Sequence, residues 1–82
     1  MAASDWKSFT DQTNRRTGEM RKANPGVSKG FGELATAAIA PGALDSKTKE
    51  LIALAIGVSA RCDGCLAFHV KAAAKYGATR AE

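Results

Sequence analysis

The two cysteines and the one histidine of this chain lie close together near its C-terminal end. Cys62, Cys65 and His69 follow one another as C-x-x-C-x-x-x-H, and Glu50 precedes the first cysteine by twelve positions. Spacings of three and four residues place the two sulfurs and the imidazole on one stripe of a helix. A close dithiol with an imidazole one turn away is suited to thiol–disulfide chemistry. These four residues are therefore predicted to form a catalytic site.

Glu50 can reach the imidazole if the last two helices form an antiparallel hairpin that turns near residue 61. His69 then lies beside Ala53, and Glu50 is three residues further along, about 4.5 Å in axial rise. The carboxylate is expected to orient His69, which accepts the proton of Cys65 or stabilises its thiolate. The N-terminus of the last helix also favours the thiolate, through its free N–H groups.

A peroxide cycle is predicted from these groups. The Cys65 thiolate attacks the O–O bond and becomes a sulfenic acid, and Cys62 condenses with it to give a Cys62–Cys65 disulfide. An external dithiol then reduces this disulfide. Cys65 is assigned as the nucleophile because it is nearer to His69, and Cys62 as the resolving and exchange thiol.

The elements that must position the site are predicted to be helices throughout, because no window alternates apolar and polar residues as a half-buried strand does. Ser4 is the predicted N-cap of the first helix. Asn24-Pro25-Gly26 and Pro41-Gly42 interrupt the helical pattern, and Gly77 is the predicted C′ residue of the last helix. The four predicted helices run over about residues 4–22, 27–38, 45–58 and 62–76.

The third predicted helix is apolar all the way round beyond Glu50, which indicates a helix buried on every side. A chain of 82 residues nevertheless buries only about 60% of the surface of its unfolded form. With an apolar content of 45%, the chain is expected to complete its burial between subunits.

Composition and charge exclude several classes of function. The net charge is +4, and the cations and anions are spread evenly along the chain, so no nucleic-acid-binding stripe is predicted. The longest apolar run, residues 51–58, is far shorter than the ~18 residues that span a bilayer. The N-terminal residues do not have the pattern of a signal peptide. A cytoplasmic protein with redox-active or metal-binding cysteines, bound to neither nucleic acid nor membrane, is expected.

Other interpretations of the same residues remain open. A C-x-x-C pair also binds zinc, but structural zinc takes four ligands, and Asp63 or Glu50 would have to join Cys62, Cys65 and His69. We therefore predict no metal and no cofactor, although a non-enzymatic metal-binding or assembly module stays an alternative. The cysteines can also be inert core residues, and Glu50 with His69 can perform acid–base chemistry without them.

The motif as a whole resembles that of the alkylhydroperoxidase AhpD-like proteins in the carboxymuconolactone decarboxylase family. Glu50, an eleven-residue gap and Cys62-x-x-Cys65-x-x-x-His69 carry the resemblance. Residues 44–52 resemble the start of the family's motif helix, and residues 76–79 resemble the sequence after its histidine. The resemblance covers roughly residues 25–82.

This resemblance implies an all-α, AhpD-like helical domain that assembles as a homo-oligomer, commonly a trimer or hexamer. It also implies peroxidase activity, with a hydroperoxide as substrate and a lipoylated or thioredoxin-like protein as reductant. Lactone decarboxylation by Glu50 and His69 remains the alternative reaction, although the decarboxylase branch of the family lacks the cysteine pair.

One domain over residues 1–82 is predicted, with an N-terminal helix over 1–24 and a motif-bearing core over 25–82. Residues 79–82 have the capping-box pattern that opens a helix. The family domain usually continues further, so the chain is expected to be a C-terminally truncated form. Asp63 and Gly64 also stand between the cysteines, where some peroxidase members of the family place a further histidine.

Overall fold

The structure is a computed structural model that describes residues 5–82, and over those residues it contains four α-helices and no strand. The helices are α1 (Trp6–Ala23), α2 (Pro25–Ile39), α3 (Ser46–Ser59) and α4 (Asp63–Lys75). The predicted all-α class and the number of helices are confirmed. None of these helices is long and apolar enough to cross a membrane.

Residues with strong local preferences set the helix boundaries. Asp5 is the N-cap of α1 and its Oδ1 accepts a hydrogen bond from the backbone N–H of Ser8 at 3.1 Å. The predicted cap, Ser4, lies outside the described residues. Asn24 ends α1 and Pro25 occupies the first turn of α2, a position where its missing N–H costs no helical hydrogen bond. The two helices are therefore separated by a single residue.

Asp45 is the N-cap of α3, as predicted for the Asp45-Ser46 pair, and it accepts a 2.7 Å hydrogen bond from the backbone N–H of Thr48. Hydrogen bonds from Thr48 lower the pKa of the Asp45 carboxyl group. An N-cap side chain must accept a hydrogen bond from a backbone N–H, and the ionised carboxylate does so best. Ionised Asp45 therefore stabilises the start of α3.

The C-terminus of α2 is held by two side chains of α3. Ser46 Oγ donates to the Ile39 carbonyl at 2.8 Å, and Lys49 Nζ donates to the Ala38 and Ala40 carbonyls at 3.1 and 2.6 Å. These carbonyls have no partner within their own helix, and a lysine at a helix C-terminus also interacts favourably with the helix dipole. The segment between the helices is thus fastened by the first turn of α3.

Helices α3 and α4 form the predicted antiparallel hairpin and make the most extensive packing contacts in the described chain. Gly77, with φ of +92°, ends α4 in a Schellman motif, in which the N–H groups of Gly77 and Ala78 bind the carbonyls of Ala74 and Ala73. Ala73 is the one buried apolar residue among those described. The hairpin is therefore the centre of the packed structure.

The prediction that α3 is buried on every side beyond Glu50 does not hold for the single chain. Ile52, Ile56 and Val58 are exposed, whereas Glu50 and Gly57 are buried. The reason is geometric, since α4 covers one face of α3 and nothing in residues 5–82 covers the opposite face. Val27, Phe31 and Leu34 of α2 are also exposed.

The last residues fold back on α3. Thr79 and Glu82 form the predicted capping box, with the N–H of Thr79 donating to Glu82 Oε1 at 2.9 Å and the N–H of Glu82 donating to Thr79 Oγ1 at 3.3 Å. Lys47 Nζ lies 2.9 Å from Glu82 Oε2. This pairing raises the pKa of Lys47 and lowers that of Glu82.

Candidate functional site

The two cysteines are joined to each other at the N-terminus of α4. Cys62 and Cys65 form a disulfide, with their Cα atoms 5.2 Å apart. Cys62 is the N-cap residue, and its Sγ accepts a hydrogen bond from the backbone N–H of Cys65 at 3.1 Å. Both residues are half-buried. The pair lies at a helix N-terminus, where free N–H groups favour a thiolate.

The turn between α3 and α4 places Cys62 at the helix start. Arg61 has a φ of +56°, a left-handed conformation that costs a residue with a Cβ roughly 1–2 kcal/mol. In return, the N–H groups of Arg61 and Cys62 bind the carbonyls of Val58 and Gly57 at 3.1 and 3.0 Å. These two bonds complete a Schellman motif at the end of α3.

Glu50 and His69 are in direct contact across the hairpin. His69 Nδ1 lies 2.7 Å from Glu50 Oε2, within the reach that the antiparallel hairpin predicted. Because a carboxylate only accepts, Nδ1–H is the donor, which leaves Nε2 as the acceptor of the neutral ring. The Glu50 side chain is 3% exposed and that of His69 is 24% exposed. The buried carboxylate therefore fixes both the tautomer and the orientation of a ring that water can still reach.

The cysteine pair and the Glu50–His69 pair are linked through α4. His69 lies one helical turn beyond Cys65, and its ring makes a T-shaped contact with that of Phe68, with centroids 5.1 Å apart. In this disulfide form, the described residues show no hydrogen bond between His69 and either sulfur. The predicted proton transfer from Cys65 to His69 stays a prediction for the dithiol form.

No metal-binding cluster is formed within residues 5–82. No three side chains of His, Cys, Asp or Glu converge there closely enough to hold a metal ion. The two carboxylates named as possible further zinc ligands are Asp63 and Glu50. Glu50 binds His69, and Asp63 lies in the first turn of α4.

Gly57 is a site residue that the sequence reasoning missed. A Cβ built on Gly57 lies 3.0 Å from Cys65 Cβ and 3.8 Å from the backbone nitrogen of Leu66. The absence of a side chain lets α3 approach α4 directly beneath the cysteine pair. A lone glycine within the apolar run from Leu51 to Val58 is the sequence signal that could have indicated a close approach, although not its partner.

Substitution Gly57→Ala is expected to push the two helices apart at Cys65. The added methyl group has to displace backbone and Cβ atoms rather than a flexible side-chain end, and overpacking of this kind costs about 1–3 kcal/mol. Chemical denaturation of the oxidised protein measures the loss of unfolding free energy. Gly64→Ala is the matched control, since a Cβ there meets nothing within 4 Å. Equal stabilities of the two variants would contradict the tight contact.

The fold and the site together define a helical protein with a cysteine pair at a helix N-terminus and a carboxylate–imidazole pair one turn away. The family model described as "Carboxymuconolactone decarboxylase family" matches residues 25–82. This chain belongs to that family.

Three curated relatives are similar to the chain, and all three are uncharacterized proteins. That of Haemophilus influenzae is 40% identical over 84% of this chain and 61% of its own length. That of Cupriavidus necator is 37% identical over 93% of this chain and 67% of its own length. A protein of the cox locus of Paracoccus denitrificans is 40% identical over 76% of this chain and 56% of its own length. The chain thus spans about three fifths of the length of these relatives.

A solved structure is also similar to the chain. The apo form of a carboxymuconolactone decarboxylase family protein from Legionella pneumophila is 40% identical, with a TM-score of 0.88 over 96% of this chain and 70% of that protein. The arrangement of the four helices is therefore similar to that of the matched part of this family member.

Proposed function

We propose that this chain acts as a thiol-dependent peroxidase and disulfide oxidoreductase of the alkylhydroperoxidase type. The observation that carries the proposal is the disulfide of Cys62 and Cys65 at the N-terminus of α4, with the hydrogen-bonded Glu50–His69 pair on the next turn. A lipoylated or thioredoxin-like dithiol protein is the proposed reductant. Family membership is consistent with this chemistry, since the motif resembles that of the AhpD-like proteins within the family.

The cycle balances with these groups alone plus the hydroperoxide and the dithiol. The Cys65 thiolate attacks the distal oxygen, so that an S–O bond forms, the O–O bond breaks and an alcohol leaves after protonation. The Cys62 thiol then attacks the sulfenic sulfur, which forms the S–S bond and releases water. Two thiols of the reductant restore Cys62 and Cys65 and become a disulfide themselves.

His69 carries the proton in this scheme. Its Nε2 is the free acceptor of a ring whose other nitrogen is held by Glu50, so it can take the proton of Cys65 and return it to the leaving alkoxide. Glu50 does not exchange the proton; its buried carboxylate stabilises the imidazolium while it exists.

A thiol titration tests the cycle. The fully reduced chain has two thiols, and one equivalent of an alkyl hydroperoxide is expected to remove both as an intramolecular disulfide. Mass spectrometry should then show the loss of two hydrogens and no covalent dimer. Retention of either thiol at one equivalent would contradict the cycle, and protein alkylated beforehand provides the blank.

A second candidate is an acid–base reaction of the decarboxylating or ring-opening kind. The direct Glu50–His69 contact supports it, because that pair can act without the sulfurs. The double variant Cys62→Ser with Cys65→Ser separates the two: it should lose peroxide reduction completely, whereas an acid–base activity would persist.

The proposal includes a homo-oligomer, a trimer or hexamer. The exposed faces of α2 and α3 are apolar, and Phe31 and Leu34 are 68% and 66% exposed in the single chain. Apolar patches of this kind mark interaction surfaces, and subunits of the same chain are the simplest way to cover them.

We expect Phe31→Asp to shift the mass measured by light scattering toward the monomer, because a buried unpaired charge disfavours the interface. Glu33→Gln, an exposed change on the same helix, is expected to leave the mass unchanged. A monomeric parent chain would contradict the assembly.

A further inference from the structure

A groove runs between α1 and the α3–α4 hairpin, on the side of α4 away from the Glu50–His69 pair. Its volume is about 740 Å³, within the range of about 300–1,000 Å³ for small-molecule sites. Its wall is mainly apolar, formed by one side chain of α1, two of α3 and three of α4: Trp6, Leu54, Val58, Leu66, Ala67 and Val70.

The groove extends along α4 toward the end that carries the cysteines, although neither cysteine lines it. Leu66 follows Cys65 in the chain, and its backbone N–H binds the Cys62 carbonyl at 3.0 Å. Leu66 and Val70 are spaced by four residues, so they lie along one stripe of α4. An apolar chain along this stripe therefore points toward the cysteine end of the helix.

The other part of the groove has a cationic rim. Lys7 and Lys71 both line it, together with Asp11. Lys7 Nζ lies 3.5 Å from Asp11 Oδ2, so its charge is partly compensated. Lys71 makes no ion pair with any of residues 5–82. Its positive charge can therefore pair with an anionic ligand.

We infer that this groove binds a medium- to long-chain carboxylate, with its head group at Lys71 and its alkyl chain along Val70 and Leu66 toward the cysteines. Lys71 lies six residues beyond Cys65, about 9 Å along the helix axis. An extended alkyl chain covers that distance in about seven carbons, at roughly 1.25 Å per carbon. Binding of the carboxylate needs no chemistry at the cysteines, whereas a fatty-acid hydroperoxide as substrate rests on the proposed peroxidase function.

Trp6 allows binding to be measured directly, because it is the only tryptophan of the chain and it lines the groove. Titration of the oxidised protein with a terminally brominated decanoate, below its micelle concentration, is expected to quench Trp6 fluorescence saturably. The brominated alcohol of the same length should bind about fivefold more weakly, since one exposed ion pair is lost. The oxidised protein cannot reduce peroxide, so this result is independent of the peroxidase activity.

Lys71→Gln is the decisive variant, and Lys75→Gln, one turn further along α4 and outside the groove, is its control. Lys71→Gln should reduce carboxylate binding about fivefold and leave binding of the alcohol unchanged, whereas Lys75→Gln should change neither. Equal binding of acid and alcohol to the parent chain, or equal binding of the acid to both variants, would overturn the inference. The inference would also be overturned if the protein were an oligomer in which a second copy fills the groove and no quenching were seen.

If carboxylate binding is confirmed while hydroperoxide consumption is absent, the proposed function fails and the binding site stands. The reverse result, peroxide consumption without saturable quenching, removes the groove and leaves the peroxidase.

Discussion

Replacement of Cys65 by serine is expected to abolish hydroperoxide consumption in the presence of a dithiol. The hydroxyl group has nearly the same shape as the thiol but is a far weaker nucleophile toward an O–O bond, and loss of a nucleophile costs at least about 10³-fold in rate. Continuous measurement of the remaining hydroperoxide, with a dithiol in excess, quantifies the loss.

Cys62→Ser is the matched variant because it removes the other sulfur of the same disulfide. Without the dithiol, which would itself reduce a sulfenic acid, it should consume one equivalent of hydroperoxide per chain and then stop, with a sulfenic acid at Cys65 that a carbon nucleophile can trap. A burst in Cys65→Ser and none in Cys62→Ser would reverse the assigned roles. Full turnover in both would remove the cysteines from the reaction.

Glu50→Gln is expected to lower hydroperoxide consumption about 10²-fold, the low end of what proton-transfer catalysis contributes. The glutamine amide oxygen can still accept the hydrogen bond from His69 Nδ1, so the ring keeps its tautomer and position. The negative charge that stabilises the imidazolium is lost. Stopped-flow measurement of the first thiol oxidation tests the effect on the step that needs the proton.

Two further variants separate this effect from folding. Glu33→Gln changes an exposed carboxylate on α2 and should retain the parent rate. Glu50→Ala removes the hydrogen-bond partner of His69 Nδ1. It is expected to lower the free energy of unfolding by about 1–3 kcal/mol, measured by denaturation. A parent-like rate for Glu50→Gln would show that the Glu50–His69 contact is structural only.

The helical hairpin and its buried pair could be predicted because they depend on local signals. Asp45, a favoured N-cap residue, marks the start of α3, and Gly77 marks the end of α4. Once the turn is placed near residue 61, the rise per residue brings Glu50 to within about one helical turn of His69 across the hairpin. Simple helix geometry was sufficient to predict that the two side chains can reach each other, and their contact is 2.7 Å long.

Burial could not be predicted in the same way. An all-round apolar α3 indicated a helix surrounded by protein, but the single chain leaves Ile56 64% exposed. A hydrophobic pattern indicates that a helix face is suited to burial, but it does not indicate whether the same chain or another one covers that face. For the same reason, the sequence pointed to subunit contacts without specifying which faces make them.

Contacts made by small or flexible groups were also beyond sequence reasoning. Lys49 follows no cap pattern of its own helix, yet its ammonium group binds two carbonyls at the end of α2. Gly57 has no side chain to suggest a role, and its importance depends on the distance to Cys65 in the folded hairpin. Both depend on tertiary positions that periodicity does not encode.

The hydrogen bond from the Cys65 N–H to Cys62 Sγ affects the choice of substitution at position 62. Helix starts usually carry Ser, Thr, Asp or Asn, whose oxygen accepts from the first turn, and here a sulfur takes that place. A serine at position 62 keeps an acceptor where the backbone needs one, whereas an alanine removes redox chemistry and helix initiation together. Comparison of the parent with Cys62→Ser therefore measures the redox role of the sulfur, and comparison of Cys62→Ser with Cys62→Ala measures its role as a helix cap.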